Sequence, residues 1–269
     1  MNASHPQQSP IHNIMALTET HLNTPTTFMI EGYTIFHSTD SDRDEQGKFK
    51  KTFTGVTLIT SPKYTPTLTD LRPLHGRLLT ATFSTAEAPL NLIAGYAPPN
   101  PHSETSRQAF FTEVDSLVQR TPPSTLTVLL AGFNAQINPD MAQDPHVTGT
   151  HHLPHIPDQL EEGEQAEDPE DIDPSHKTTD NSNMLHSVCK AHKLCFPQTW
   201  MKKSPEQIHT HRRPNGDLVQ LDHFITPQAW QGSILNITTN TTTPQPPWPP
   251  TATSYRPHSE SREAPTHRA

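Results

Sequence analysis

Glu19 stands in the phrase ALTETHL (16–22), just past a short apolar run. A carboxylate there suits a hard divalent cation such as Mg²⁺, which takes oxygen donors and keeps several waters. The plainer role is a strand-end carboxylate in solvent. Tyr96 lies in GYAPPN (95–100), where a phenol can donate to an anionic oxygen while its ring packs on a strand, or can serve only as a half-buried aromatic. Asn134, in LLAGFNAQI (129–137), carries an amide that both donates and accepts, which suits a place between two oxygens. Asn also fills turns after strands. In IHTHRRPNGD (208–217), Thr210 offers a hydroxyl, and Arg212 and Arg213 offer guanidinium groups able to grip an oxyanion through two parallel hydrogen bonds. An exposed loop without a duty competes with that reading. Asp222, in VQLDHFIT (219–226), is an acid in the middle of an alternating β run, a placement that calls for a partnered carboxylate.

These side chains need elements to hold them. Residues 11–18 read as a short buried strand and 32–37 as a second. Residues 40–51 are charged and turn-like. Four β signals follow at 55–60, 77–84, 90–96 and 126–131, each rich in Leu or β-branched residues and bounded by Pro, Gly or Ser. A helix over 103–120 presents Phe110, Phe111, Val114, Leu117 and Val118 at helical spacing, and Pro122 and Pro123 stop it. A second helix, 181–193, has Met184, Leu185 and Val188 as its buried stripe, with Asp180 or Asn181 as cap. Residues 218–226 alternate as one strand, and 232–237 form another candidate. Residues 138–180 lack apolar periodicity and read as a long exposed insertion; 238–269, rich in Thr, Pro and Ser, reads as a disordered tail. Mixed strands and helices define an α/β or α+β domain of two layers or more.

Composition agrees with a folded core diluted by irregular segments: 31% of residues are apolar and 29 are proline. There is no long apolar run for a membrane span and no charged-then-apolar leader, so the expectation is a soluble, intracellular protein without a membrane partner. The net charge of -9 is concentrated. Nine acids lie within 158–173, so 28 − 9 leaves 19 acids against 19 Lys and Arg elsewhere. The body is neutral, and the acidic loop mildly opposes binding of phosphates. Cys189 and Cys195 read as buried thiols on one helix, and His146, His151, His152 and His155 as loop histidines without a metal.

The five phrases come in one order, and together they resemble the endonuclease/exonuclease/phosphatase superfamily. The stretch DNSNMLHSVCKAHKL (180–194) is similar to the helix that non-LTR retrotransposon endonucleases place between the third and fourth phrases. The resemblance spans about residues 11–237, with residues 1–10 as a polar stub. It implies an α/β four-layer sandwich of two packed β-sheets with helices outside. It also implies Mg²⁺-assisted attack of water on a phosphodiester of DNA. Under it Glu19 corresponds to the metal-binding glutamate, and Tyr96 to the tyrosine on the scissile phosphate. Asn134 matches the asparagine that orients water or phosphate, Thr210 a phosphate contact with Arg212 and Arg213 beside it, and Asp222 the late-strand aspartate that supports the site. No small-molecule cofactor is implied.

Three departures bear on activity. The family's third phrase is Gly-Asp-Phe-Asn, and here Gly132 stands where the aspartate belongs. The family's closing Ser-Asp-His triplet has no counterpart after Asp222. A first strand carrying an asparagine is also missing, since only about ten polar residues precede Ile11. The expectation is a degenerate domain lacking its first and last core strands, with weak or absent Mg²⁺ binding and no significant cleavage. A non-catalytic module binding nucleic acid or protein on the same fold, or a frame of a decayed mobile element, are the alternatives.

Overall fold

The computed structural model describes residues 13–20, 22, 24–39, 54–100, 102–156, 180–213 and 215–239. The polar stub, the acidic stretch, the whole turn-like 40–51 segment and nearly all of the tail lie outside the described residues. In chain order the elements are β1 (Ile14–Leu17), β2 (Thr26–Ile30), β3 (Tyr33–Ser38), β4 (Val56–Thr60), β5 (Leu68–His75), β6 (Leu78–Phe83), β7 (Leu90–Tyr96), α1 (Glu104–Arg120), β8 (Leu126–Gly132), α2 (Pro139–Ala142), α3 (Asn181–Ala191), β9 (Leu194–Cys195), β10 (His211–Arg212), β11 (Leu218–Val219) and β12 (Asp222–Pro227).

Alternation along the strands sorts side chains between two cores. In β7 and β8, Leu92, Ala94, Tyr96 and Val128 face a cluster shared with Val56 and Leu58 of β4. Ile93, Leu129 and Ala131 face the other way, onto Phe110, Phe111 and Val114 of α1 and Leu185 and Val188 of α3. The result is a four-stranded sheet, order β1-β4-β3-β2, packed on a six-stranded sheet, order β5-β6-β7-β8-β12-β9. Among the described residues the helices lie on the outer face of the larger sheet. A two-stranded ribbon joins β10 and β11. This is the α/β sandwich of two sheets and outer helices that the resemblance implies. β7 and β8 run parallel, with α1 as the crossover; every other paired strand is antiparallel. α1 begins at Ser103, whose side chain accepts from Ser106 N at 3.2 Å, and α3 at Asp180, whose carboxylate accepts from Asn183 N at 2.8 Å.

Several expectations change. β2 and β5 were not evident in the sequence. β2 is an exposed edge strand, and β5 is an edge strand interrupted by Asp70, Arg72 and Pro73, the last tolerated because an edge leaves its missing N–H unneeded. The single strand expected over 218–226 is two: β11 pairs with β10, then the chain shifts and β12 pairs with β8 and β9. The break is stable because Thr210 Oγ1 accepts from both Leu221 N and Asp222 N, at 2.9 and 3.1 Å. Residues 232–237 form no strand; a 3₁₀ turn covers Gln228–Ser233. Cys195 sits on β9 and not on a helix, although both thiols are buried and free. Burial pushes both upward, Cys195 to about 11.

The largest change concerns residues 138–156, where buried anchors alternate with exposed residues. Met141, Val147 and Thr148 are buried. Side chains replace periodicity as the organising force. Asn138 caps α2 through Met141 N at 2.9 Å, Gly149 N donates to Thr199 Oγ1 at 2.6 Å, and Gln136 exchanges two hydrogen bonds with Ile156. Gly149 approaches Thr199 so closely that a Cβ would meet its carbonyl oxygen at 2.5 Å. No helix among the described residues is long and apolar enough to cross a membrane.

Candidate active site

The register of three strands brings three of the expected residues into one row. Tyr96 on β7 is opposite Gly132 on β8, and Gly132 is opposite Asp222 on β12. The middle of the row has no side chain, and its neighbours close over it. A Cβ on Gly132 would lie 2.9 Å from Asp222 Oδ1 and 3.1 Å from Tyr96 Cδ2. The Asp222 carboxylate therefore occupies part of the space that a side chain at 132 would need.

Asp222 lines a crevice of about 240 Å³ together with Ala16, Thr18, Leu130, Ala131 and Phe224. The crevice opens where the smaller sheet stops at β1, which pairs with β4 alone among the described strands. Water reaches Asp222 from the open side, yet protein atoms crowd the carboxylate on the others. That desolvation raises its pKa, and the charge of Glu19 adds to the rise. The Thr210 hydroxyl and His211 oppose it. Glu19 and Asp222 are thus close enough to feel each other.

Glu19 is held in a left-handed conformation, φ 54°, unusual for a residue with a side chain. The residues after it are pinned from β3 and β4. His37 Nε2 donates to Leu22 O at 3.1 Å, and its Nδ1 meets Thr57 Oγ1 at 2.7 Å and Thr20 Oγ1 at 3.3 Å. These partners define the Nε2–H tautomer. Burial lowers the His37 pKa, with the Leu22 bond opposing.

The other expected residues are present with different attachments. Tyr96 is largely buried, with the Arg77 guanidinium 5.5 Å from its ring centre. Asn134 also has a left-handed backbone, φ 47°, and its amide donates to Ala97 O at 2.7 Å. Thr210 braces β12 through the two backbone bonds above and its bond to the Asp222 carboxylate, a duty inside the protein that the phosphate-contact expectation did not include. Arg212 is exposed on β10 and donates to Gly216 O, whereas Arg213 reaches back to Ile156 O, both at 3.3 Å.

Two further buried polar residues lie within the quoted phrases without having been singled out as site residues. His223, fully buried beside Asp222, donates from Nε2 to Ala135 O at 2.7 Å and packs edge-on against Phe196. Asn181, fully buried at the start of α3, donates to the loops after β7 and β8. A polar residue interrupting an apolar run is the available signal for His223. For Asn181 the signals were its place as a candidate helix cap and at the start of the 180–194 stretch.

Mg²⁺ is the cation implied by the resemblance. Glu19 and Asp222 supply oxygen donors of the right kind, and their mutual repulsion is what a cation would relieve. Among the described residues no group of three His, Cys, Asp or Glu side chains converges as a metal site. Two carboxylates serve Mg²⁺ where waters and phosphate oxygens complete its octahedron, so Glu19 and Asp222 fit the ion in donor type.

The chain has the fold of the endonuclease/exonuclease/phosphatase superfamily. An AP endonuclease from Archaeoglobus fulgidus matches with a TM-score of 0.51 and 12% identity, covering 82% of this chain and 78% of its own. A 3′ phosphatase from Neisseria, in complex with a product DNA hairpin, gives 0.49 at 13% identity over 84% and 79%. The endonuclease domain of a telomere-specific non-LTR retrotransposon gives 0.42 at 9% identity over 76% and 70%. At such identities the likeness is one of fold. The sequence matches no protein-family model and no curated protein.

Proposed function

We propose that this chain is a retrotransposon-type endonuclease domain that keeps a DNA-facing site and has lost efficient cleavage. The ancestral reaction is Mg²⁺-assisted hydrolysis of a phosphodiester. The observation that carries the reading is the row Tyr96–Gly132–Asp222. It aligns the expected phosphate-side tyrosine and the supporting aspartate, while the position between them has no group to take a proton from water. General acid–base assistance is worth roughly 10²–10⁴-fold, so its loss alone is severe. Residues 223–269 hold no Ser-Asp-His triplet to stabilise the charged phosphate further.

Binding without chemistry is favoured by the exposed His211 of β10, which acts on the Asp222 carboxylate, with the exposed Arg212 next to it in the chain. The test pairs two assays on the purified chain: nicking of supercoiled plasmid with Mg²⁺ or EDTA, and anisotropy with a labelled DNA duplex at low and high salt. The expected result is no chelator-sensitive nicking together with salt-dependent binding. Chelator-sensitive nicking overturns the loss of cleavage. Absence of binding at low salt overturns the retained DNA-facing site.

A further inference from the structure

β7 and β8 leave their sheet side by side, and the last rung between them is Ala97 N donating to Gly132 O at 2.8 Å. Beyond it the two chains have no ladder. Residues 97–100 read Ala-Pro-Pro-Asn, and prolines 98 and 99 have no N–H to offer across the gap. The carbonyls of Pro98, Phe133 and Asn134 consequently need a donor from elsewhere, because buried carbonyls without partners are strongly disfavoured. Asn181 supplies it. Its Nδ2 lies 2.8 Å from Pro98 O, 3.1 Å from Phe133 O and 3.4 Å from Asn134 O. Its backbone N–H donates to Asn100 Oδ1 at 3.2 Å, closing the clamp on the far end of the first loop.

We propose that Asn181 is a positioning residue for the DNA-facing site: one buried amide sets the spacing of the loops after β7 and β8 and thereby places Asn134. The inference rests on the proposed function for the meaning of Asn134, and on geometry for the clamp itself. Asn134 sends its own amide the opposite way, to Ala97 O at 2.7 Å, so the two amides cross between the loops. The left-handed backbone of Asn134 is maintained between these two attachments. Asn181 can impose a position because it is itself fixed. Asp180 caps its helix, Asn183 accepts from Asn138 Nδ2 at 2.8 Å, and His192 at the helix end meets Asp115 of α1 at 2.7 Å.

The chemistry is specific to asparagine. A neutral primary amide presents two N–H donors from one nitrogen, enough to serve three carbonyls if one proton is shared. Aspartate has the same shape and no donor, so it would set a negative charge against three carbonyl oxygens. Serine is shorter with a single donor, and glutamine places the amide one methylene further out. The Oδ1 of Asn181 accepts no hydrogen bond from the described residues, so its donors are what the site uses.

The experiment follows the Asn134 side-chain amide by ¹⁵N NMR in Asn181→Ala and Asn181→Gln, and duplex DNA affinity by anisotropy in these two, in Asn134→Ala and in Asn181→Ala/Asn134→Ala. The expected result is a displaced or broadened Asn134 amide signal in both Asn181 variants. DNA binding should weaken about tenfold in Asn181→Ala, and the double variant should be no weaker than the worse single one, because the two act as a unit. An Asn134 signal unchanged in folded Asn181→Ala overturns the proposal, as do fully additive losses of affinity. If Asn181→Ala fails to fold, Asn181→Gln retains the donor and decides by the same signal. Should the wild-type chain bind no duplex, the functional reading falls, while the Asn134 signal still decides whether Asn181 places it.

Discussion

The loops that follow β7 and β8 and the corner that follows β1 at Glu19 are held very differently. In the first region, Asn181 from α3, Asn134 itself and His223 from β12 tie backbone carbonyls that are distant in sequence. In the second, β1 has one strand neighbour and the segment after Glu19 depends mainly on His37. Buried hydrogen bonds from several elements fix a geometry even where the backbone is strained. A free strand edge fixes little and invites other chains. The Asn134 side should therefore keep its shape under mutations that disturb the Glu19 side, and stability should be lost mainly through the first.

The largest expected effect tests the tied side through His223. Burial holds this imidazole neutral down to about pH 4, below its ordinary 6.5, with the Ala135 bond opposing the shift. As pH falls past 6.5 the unfolded chain takes up a proton there and the folded chain does not. The stability from this group is complete above 6.5, declines between 6.5 and about 4, and falls no further below that. The slope is about 1.4 kcal/mol per pH unit. Urea unfolding compared at about pH 7 and about pH 4.5 should cost the wild type about 3 kcal/mol more than His223→Gln, which keeps a donor near Ala135 but does not titrate. Equal pH dependence in the two proteins would mean that His223 is not buried as a neutral group.

A smaller effect is expected at the centre of the row. Gly132→Asp restores the family's residue type, yet its Cβ would lie inside van der Waals contact of Asp222 Oδ1 and Tyr96 Cδ2, at 2.9 and 3.1 Å. It also places a second carboxylate beside Asp222, whose pKa is already raised. Overpacking of this kind destabilises by about 1–3 kcal/mol. No plasmid nicking should appear, since groups that act together in one transition state give little when restored singly. A variant as stable as the wild type that nicks plasmid with Mg²⁺ would show that the glycine was the decisive defect.

The same contrast governs what could be read from the sequence. β7, β8 and α1 were legible because their apolar residues repeat at a strand or helix period and their ends carry Ser103, Pro122 and Pro123. β5 was not, because Asp70, Arg72 and Pro73 break the pattern that an edge strand does not need. Residues 138–156 hid their packing because Met141, Val147 and Leu153 follow no period and are anchored by Asn138, Thr199 and Gln136. At the site, ordered phrases gave Glu19, Tyr96, Asn134 and Asp222. The attachment of Thr210 to β12, the closure of Asp222 over Gly132 and the clamp of Asn181 depend on elements far apart in the chain, and local spacing carries no trace of them.

The smallest expected effect is on the loosely held side. β1 reads IMAL; it has no charge, proline or bulge, and its Leu17 is 40% exposed on an edge whose outward backbone groups pair with no described strand. Natural edge strands avoid sticking to one another by carrying exactly such devices, lysine above all. Leu17→Lys adds one without touching the buried cores, since Leu17 belongs to neither of them. Its effect on unfolding free energy should stay within about 0.5 kcal/mol, as for other surface changes. What should change is association. Sedimentation velocity over a concentration series should show the wild type forming larger species at high concentration and Leu17→Lys remaining a monomer further up the series. Identical association of the two proteins would place the adhesive surface elsewhere, with the exposed Phe28 and Met29 of β2 as the next edge to alter. A large loss of stability in Leu17→Lys would mean instead that β1 is held as firmly as the loops after β7 and β8, and the contrast between the two regions would fail.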